Sequence, residues 1–307
     1  MVLTVILPIC LLLLLGFVCV KFKFILPEHI QGLSQFVFKI SLPAFLFLAL
    51  ASRRFDEIWN SSYFIGYAGG SLLVFAVAFA LYHQYFRCRL SESAVLSMGA
   101  SMSNTGFIGT AILTLLIGQQ AAVYLSLTLI IENLLIVALT LILAEAGIHQ
   151  HQSTAAVVQQ TLKNVAKNPI ILSIVFGMLC VLFKLQLPLS LIQILAMLGK
   201  TASPVALFVI GGSLVGMSLK AIDLQSIILV LLKLVLMPFT IFILLSVLPD
   251  VTQEMRYAGT LLAALPMPII FGIFGQNYGL SDKALSALML STLLGFMLIS
   301  GLIAVWW

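Results

Sequence analysis

The chain has 307 residues, of which 62% are hydrophobic and only 8% charged. A soluble domain of that length could not cover its surface, because soluble proteins run at about one quarter charged. The formal net charge of +5 is spread over short loops rather than gathered in a patch, so the expected partner is the lipid bilayer and no nucleic acid.

Apolar runs such as Val2 to Val20 and Ile222 to Leu248 match the roughly 20 residues a helix needs to cross about 30 Å of hydrocarbon. Ten such spans are predicted, at 2–20, 31–52, 63–82, 92–117, 121–145, 168–185, 190–218, 222–248, 254–278 and 282–305. The first lacks a positive n-region in Met1 to Thr4 and has no small-residue cleavage site after it, so it reads as a mature helix rather than a secretory signal. Cys10, Cys19, Cys88 and Cys180 lie in or beside spans without metal spacing and read as small packing residues. With Met1 outside, the inside loops hold Lys21, Lys23, Arg87, Arg89, Lys163, Lys167, Lys220 and Lys283. The outside loops then hold Arg53, Arg54, Lys184 and Arg256, partly offset by Asp56, Glu57, Asp250 and Glu254. The excess of Lys and Arg marks the cytoplasmic face, which places both termini outside.

The second half of the sequence falls on the first at a constant offset of 161 positions. Pro8 meets Pro169, Gly16 Gly177, Cys19 Cys180, Lys23 Lys184, Pro27 Pro188, Lys39 Lys200, Pro43 Pro204, Phe47 Phe208 and Gly118 Gly279. A chance alignment of Leu-rich helices would match leucines instead. The chain therefore divides into a five-span repeat at 1–145, a cytoplasmic linker at 146–167 and a second five-span repeat at 168–307. An odd number of spans per repeat inverts the second copy, and inverted repeats are common in secondary transporters, whose substrate sites lie at the midplane where the copies meet. In the linker, His149 and His151 have no other ligands beside them and read as solvated loop residues rather than a metal site.

The fourth span contains Ser97, Ser101, Ser103, Asn104, Thr105 and Thr110 together with Gly99, Gly106 and Gly109. Such a stretch suits non-helical backbone that is buried in protein or lines a wet cavity. The ninth span, at the matching place, holds Pro266 and Pro268, which lack amide hydrogens and should break the helix. Interrupted segments at corresponding positions point to a substrate site, and the amide ends of half-helices favour an anion. The expected substrate contacts are Asn104 and Thr105 first, then Gly106, Ser101, Ser103, Pro266 and Pro268. Against this stands the habit of Ser and Thr to bond their own helix.

Glu132 and Asn133 form the acidic site deep in an apolar span. An ionisable residue there is a functional hypothesis by default, as a proton carrier, a sodium ligand with Asn133, or a partner for the broken helix. Lys39 and Lys200 each precede a proline by four residues and read as counter-charges for substrate or Glu132, or as snorkelling side chains. Lys233 has no such symmetric mate and reads as structural; Trp306 and Trp307 read as an interfacial anchor.

Asn104 to Gly109, Leu42-Pro43-Ala44, Asn168-Pro169 and Leu265-Pro266 with Tyr278 resemble the auxin efflux carrier family over essentially the whole chain. Plant members of that family export auxin, and bacterial members include malonate and related carboxylate carriers. The resemblance implies an all-α membrane protein of the bacterial inner membrane, with ten transmembrane helices in two inverted five-helix repeats and broken, crossing helices 4 and 9. The fold is similar to that of sodium/proton antiporters, in which acidic residues of the fifth helix handle the ion. Members usually carry a proline where this chain has Thr110-Ala111, which leaves Gly106 and Gly109 to make the first break. The implied activity is alternating-access transport of a small organic carboxylate anion, with H+ or Na+ as coupling ion, no cofactor, and a homodimer left open. Malonate, another dicarboxylate and an aromatic acid all stay open as substrates. A channel-like or sensor protein that keeps the fold is the alternative. An enzyme is not expected, since Ser101 and Ser103 near His83 form no paired motif and there is no Walker glycine loop.

Overall fold

The computed structural model describes residues 2–51, 59–148, 167, 169–185, 187–215 and 223–307. The linker histidines His149 and His151 with Lys163, the loop charges Arg53, Arg54, Asp56 and Glu57, and Lys220 lie outside the described residues. The described chain is helical throughout and holds no strand. Its helices are α1 (Val2–Lys21), α2 (Pro27–Phe36), α3 (Leu42–Ala51), α4 (Ser61–Ala80), α5 (Leu90–Ser101), α6 (Thr110–Ile117), α7 (Ala121–Ile130) and α8 (Ala138–Ile148). After the linker come α9 (Pro169–Leu182), α10 (Leu189–Lys200), α11 (Ala202–Ser213), α12 (Leu224–Leu231), α13 (Met237–Val247), α14 (Gln253–Ala263), α15 (Ile269–Asn277) and α16 (Ser281–Trp306).

Six helical stretches among the described residues are long and apolar enough to cross a membrane: Pro27–Leu48, Ser61–Tyr85, Leu90–Ala144, Leu189–Ser213, Leu224–Val247 and Asp282–Trp306. Leu11–Lys21 and Pro169–Leu182 are shorter apolar helices. At 1.5 Å per residue, Leu90–Ala144 is far longer than one crossing, and it turns at Gly118, whose backbone has φ +60°. Gly279 before α16 has φ +77°, and glycine populates this left-handed region without a Cβ penalty. The outward faces are apolar, with Leu73, Val77, Phe239, Val247, Met297 and Val305 all exposed. An apolar surface of that extent belongs in lipid.

Several helices widen into π turns. Val37–Ser41 and Leu232–Leu236 each lie just before a proline, Pro43 and Pro238, near the start of the next helix. Proline has no amide to give to the carbonyl four residues back, so the ladder re-registers by one residue. Lys39 and Lys233 sit in these two turns.

Residues paired by the 161-position offset share local geometry. Lys23 and Lys184 both take positive φ, 60° and 52°, and the same turn bonds close around them: Phe22 and Phe183 donate to Val18 and Leu179, and Lys23 and Lys184 to Val20 and Val181. α1 packs on α11 and α9 packs on α3. In the first contact a Cβ on Gly16 would lie 2.0 Å from the Phe208 carbonyl oxygen; in the second a Cβ on Gly177 would lie 3.2 Å from that of Phe47. The contacts are reciprocal, since Gly177 and Phe208 are the offset mates of Gly16 and Phe47. Gly16→Ala should therefore force α1 off α11 and lower the unfolding temperature of the purified protein. Gly32→Ala, where nothing lies within 4 Å, should leave it unchanged or slightly raised; equal behaviour of the two variants would contradict the close approach.

Candidate functional site

The fourth span breaks at Met102–Asn104 and the ninth at Ala264–Pro268. α5 ends at Ser101; Met102 turns extended, with φ −123° and ψ 147°, and a π turn at Thr105–Gly109 leads into α6. α14 ends at Ala263 and α15 begins at Ile269, with Leu265, Pro266, Met267 and Pro268 buried between them. The two breaks touch: the Asn104 amide donates to the Pro266 carbonyl at 2.9 Å. Met267 N–H is received by Ser291 Oγ of α16 at 3.3 Å. The break in the fourth span precedes the glycines, so Gly106 and Gly109 do not make it, contrary to the sequence expectation. They permit contact instead: a Cβ on Gly109 would lie 3.0 Å from Leu262 and from Leu265, and one on Gly106 would lie 3.4 Å from Leu42. Thr110, beside the position of the missing proline, donates its hydroxyl to the Thr105 carbonyl at 3.3 Å and so supports the π turn.

Glu132 lies fully buried in a π turn, Ile131–Val137. Its Oε1 accepts from the Ser103 amide at 3.0 Å and from Thr105 Oγ1 at 3.0 Å. The anion at this amide end is thus the protein's own carboxylate. Its second oxygen, Oε2, has no hydrogen-bond partner. Lys233 is also fully buried, and its Nζ donates to Ser103 Oγ at 2.5 Å and to the Ala263 carbonyl at 2.9 Å. It therefore clasps both breaks, although it has no mate at the 161-position offset. Ser103 stands between the two charges, receiving Lys233 on its side chain and giving its amide to Glu132. The sequence signal for Lys233 was a lone lysine in an apolar run, one turn before Pro238.

The remaining expected residues divide. Asn104 is 5% exposed and lines a cavity of about 40 Å³ with Asn133, Gly106, Phe107, Pro268 and Ile269. Asn133 gives its amide to the Leu129 carbonyl of its own helix at 2.8 Å. Ser101 does the same with Ser97, at 2.8 Å. Lys39 is exposed, although its neighbour Phe38 packs at a tilt against Phe107, ring centroids 4.9 Å apart, and lines the small cavity with it. Lys200 is exposed at the end of α10 and lines a second, larger cavity of about 480 Å³, together with Phe45, Thr110, Thr114 and Gln119. The Thr114 hydroxyl is buried there without a partner. Trp306 stacks on Tyr257 at 4.5 Å, which fixes the end of α16 against α14.

Helices with apolar outer faces, two of them broken and joined through backbone around buried charges, define a multi-pass membrane protein of the transporter type. The sequence profile of the family described as Membrane transport protein matches residues 1–304, and the chain belongs to this family, that of the auxin efflux carriers. It is 27% identical over 301 residues to a protein of Rhizobium meliloti (strain 1021) described as "Putative malonate transporter", covering 97% of this chain and 93% of that one.

The linkage through Ser103 predicts strong coupling between the two charges. Removing one partner of a buried pair costs about 3–5 kcal/mol, whereas removing both costs much less. In a double-mutant cycle read by unfolding of the purified protein, Lys233→Met and Glu132→Gln should each destabilise, and the double variant should recover at least about 1 kcal/mol of their summed cost. Strict additivity would show that the two charges do not sense each other.

Proposed function

We propose that this protein is a secondary carrier of small organic carboxylate anions that works by alternating access in the bacterial inner membrane. The observation that carries the reading is the meeting of the two broken helices at Asn104 and Pro266. Non-helical backbone at membrane depth is tolerated where it lines a cavity, and it is there that transporters hold substrate. The small cavity presents the Asn104 side chain and the start of α15 to a ligand. Asn104 binds the carboxylate, assisted by Thr105, Gly106, Ser101 and Ser103 on one break and by Pro266 and Pro268 on the other. At about 40 Å³ the cavity is far smaller than the sites of drug-sized ligands, so the state described here is closed around the crossing and substrate enters when the helices part.

The larger cavity beside Lys200 is the approach to that site. Lys200 supplies the counter-charge that draws an anion in, and Thr110 lines the cavity while bonding the carbonyl of Thr105. Lys39, next to Phe38, serves the same purpose from the π turn Val37–Ser41. The reciprocal contacts of Gly16 with Phe208 and Gly177 with Phe47 support ten transmembrane helices in two inverted five-helix repeats, with both termini outside. Repeats related by a pseudo-two-fold axis in the membrane plane allow alternating access by rocking of one part against the other around the site. Glu132 and Asn133 are the ion-coupling residues, with H+ or Na+ as the ion, because Glu132 bonds directly to the first break. The name carried by the Rhizobium meliloti relative makes malonate the first substrate to test.

Proteoliposomes loaded with malonate should show saturable uptake of labelled malonate or of an aromatic acid by counterflow. A flux indifferent to substrate on the far side would mark a channel instead. Asn104→Ala should raise the half-saturating substrate concentration by about tenfold, as expected for loss of a hydrogen bond to a charged group, with the unfolding temperature unchanged. Unaltered affinity would remove Asn104 from the site. Glu132→Gln should abolish the response of uptake to an imposed proton or sodium gradient, and a variant still driven normally would exclude Glu132 as the coupling residue.

A further inference from the structure

The ammonium of Lys233 occupies a place with the chemistry of a sodium site. It contacts the Ser103 hydroxyl of one break and the Ala263 carbonyl at the C-terminal end of α14 in the other. Unwound backbone, hydroxyls and half-helix C-terminal carbonyls are the oxygen set by which broken-helix transporters hold an alkali cation, and a helix C-terminus favours positive charge. The anionic balance is present as well, because the Glu132 carboxylate lies one residue's width away, across Ser103. Spare acceptor capacity remains: Glu132 Oε2 is buried without a partner, and the buried Tyr67 hydroxyl faces Ser103 without closing a well-formed hydrogen bond. Tyr63, stacked on Tyr67, shares a hydrogen bond between its hydroxyl and that of Thr128 instead.

We infer that Lys233 is a tethered cation that fills a latent sodium seat at the helix crossing, which leaves H+ of the two coupling ions proposed above, so that the carrier works without bound sodium and a variant lacking the lysine side chain acquires a sodium site. Lys233 and Glu132 already neutralise each other around Ser103. A sodium ion entering beside the lysine would meet a like charge in a buried place, which is strongly unfavourable. With the side chain removed, the same oxygens and an unbalanced carboxylate remain, and a small hard cation with oxygen preference is the natural replacement. This inference rests on the reading of the crossing as a transport site, but its test does not require transport.

The unfolding temperature of the purified full-length protein is measured in equimolar sodium chloride and choline chloride. The wild type should unfold at the same temperature in both. Lys233→Ala should be destabilised in choline and recover at least about 2 °C in sodium, the scale of roughly 1 kcal/mol of ligand stabilisation in a chain of this size. Lys233→Met, whose side chain fills the seat without charge, should show no sodium response. Stabilisation of the wild type by sodium, an equal response of the Ala and Met variants, or failure to recover Lys233→Ala in sodium when Lys233→Met is recovered would each overturn the proposal. In proteoliposomes, wild-type counterflow should be unchanged when choline replaces sodium. A requirement for sodium there overturns this inference while leaving the carrier reading intact, and absence of counterflow in both salts does the reverse.

Discussion

A backbone interrupted inside a membrane must find partners for the groups it frees, since an unsatisfied amide or carbonyl in hydrocarbon costs several kcal/mol. The crossing of this protein is organised around that constraint. The amide of Asn104 goes to the carbonyl of Pro266, the amide of Ser103 to Glu132, the amide of Met267 to Ser291, and the carbonyl of Ala263 to Lys233. Each freed group is met by an element from another part of the chain. The two buried charges follow from the same requirement: an amide end calls for an anion and a carboxyl end for a cation. The prolines of the ninth span remove two donors that would otherwise need partners.

The groups that satisfy the breaks are side chains and single backbone bonds rather than continuous helical ladders. Around the crossing the packing is close: Phe38 lies on Phe107, and Gly99 leaves room for the ring of Phe271. Outside it, α1 with α11 and α3 with α9 meet backbone to backbone through Gly16 and Gly177. Close glycine-mediated contacts are how helices associate where lipid removes the hydrophobic drive.

Much of this was legible in the sequence, and the reason is that lipid permits few solutions. Apolar length set the helices within a residue or two at most ends, as with Val2–Lys21 and Ser281–Trp306. The polar run at Ser101 to Thr105 and the Pro266–Pro268 pair marked the two breaks, because both are costly in an ordinary membrane helix. Positions matched at the 161-residue offset through Lys and Gly share a positive φ, at Lys23 and Lys184 and at Gly118 and Gly279. The 161-position offset matched Lys39 with Lys200 and left Lys233 without a mate, yet Lys233 is the lysine that bonds both breaks. Gly106 and Gly109 looked like the breaking residues, whereas the break lies ahead of them; Gly109 makes room for Leu262 and Leu265, and Gly106 for Leu42. Ser291 gave no signal, since a serine in an apolar helix usually bonds its own backbone, and its role depends on a contact with Met267 across the fold.

The central claim is that the two interrupted helices meet at Asn104 and Pro266 and receive an anion there. The most direct measurement is an experimentally phased or cryo-EM map of the full-length protein with a carboxylate that competes in uptake. Such a map should show chain breaks at 102–104 and 264–268, with anion density within hydrogen-bond distance of the Asn104 side chain and the first amides of α15. Continuous helix through both segments, or an anion bound away from them, would contradict it.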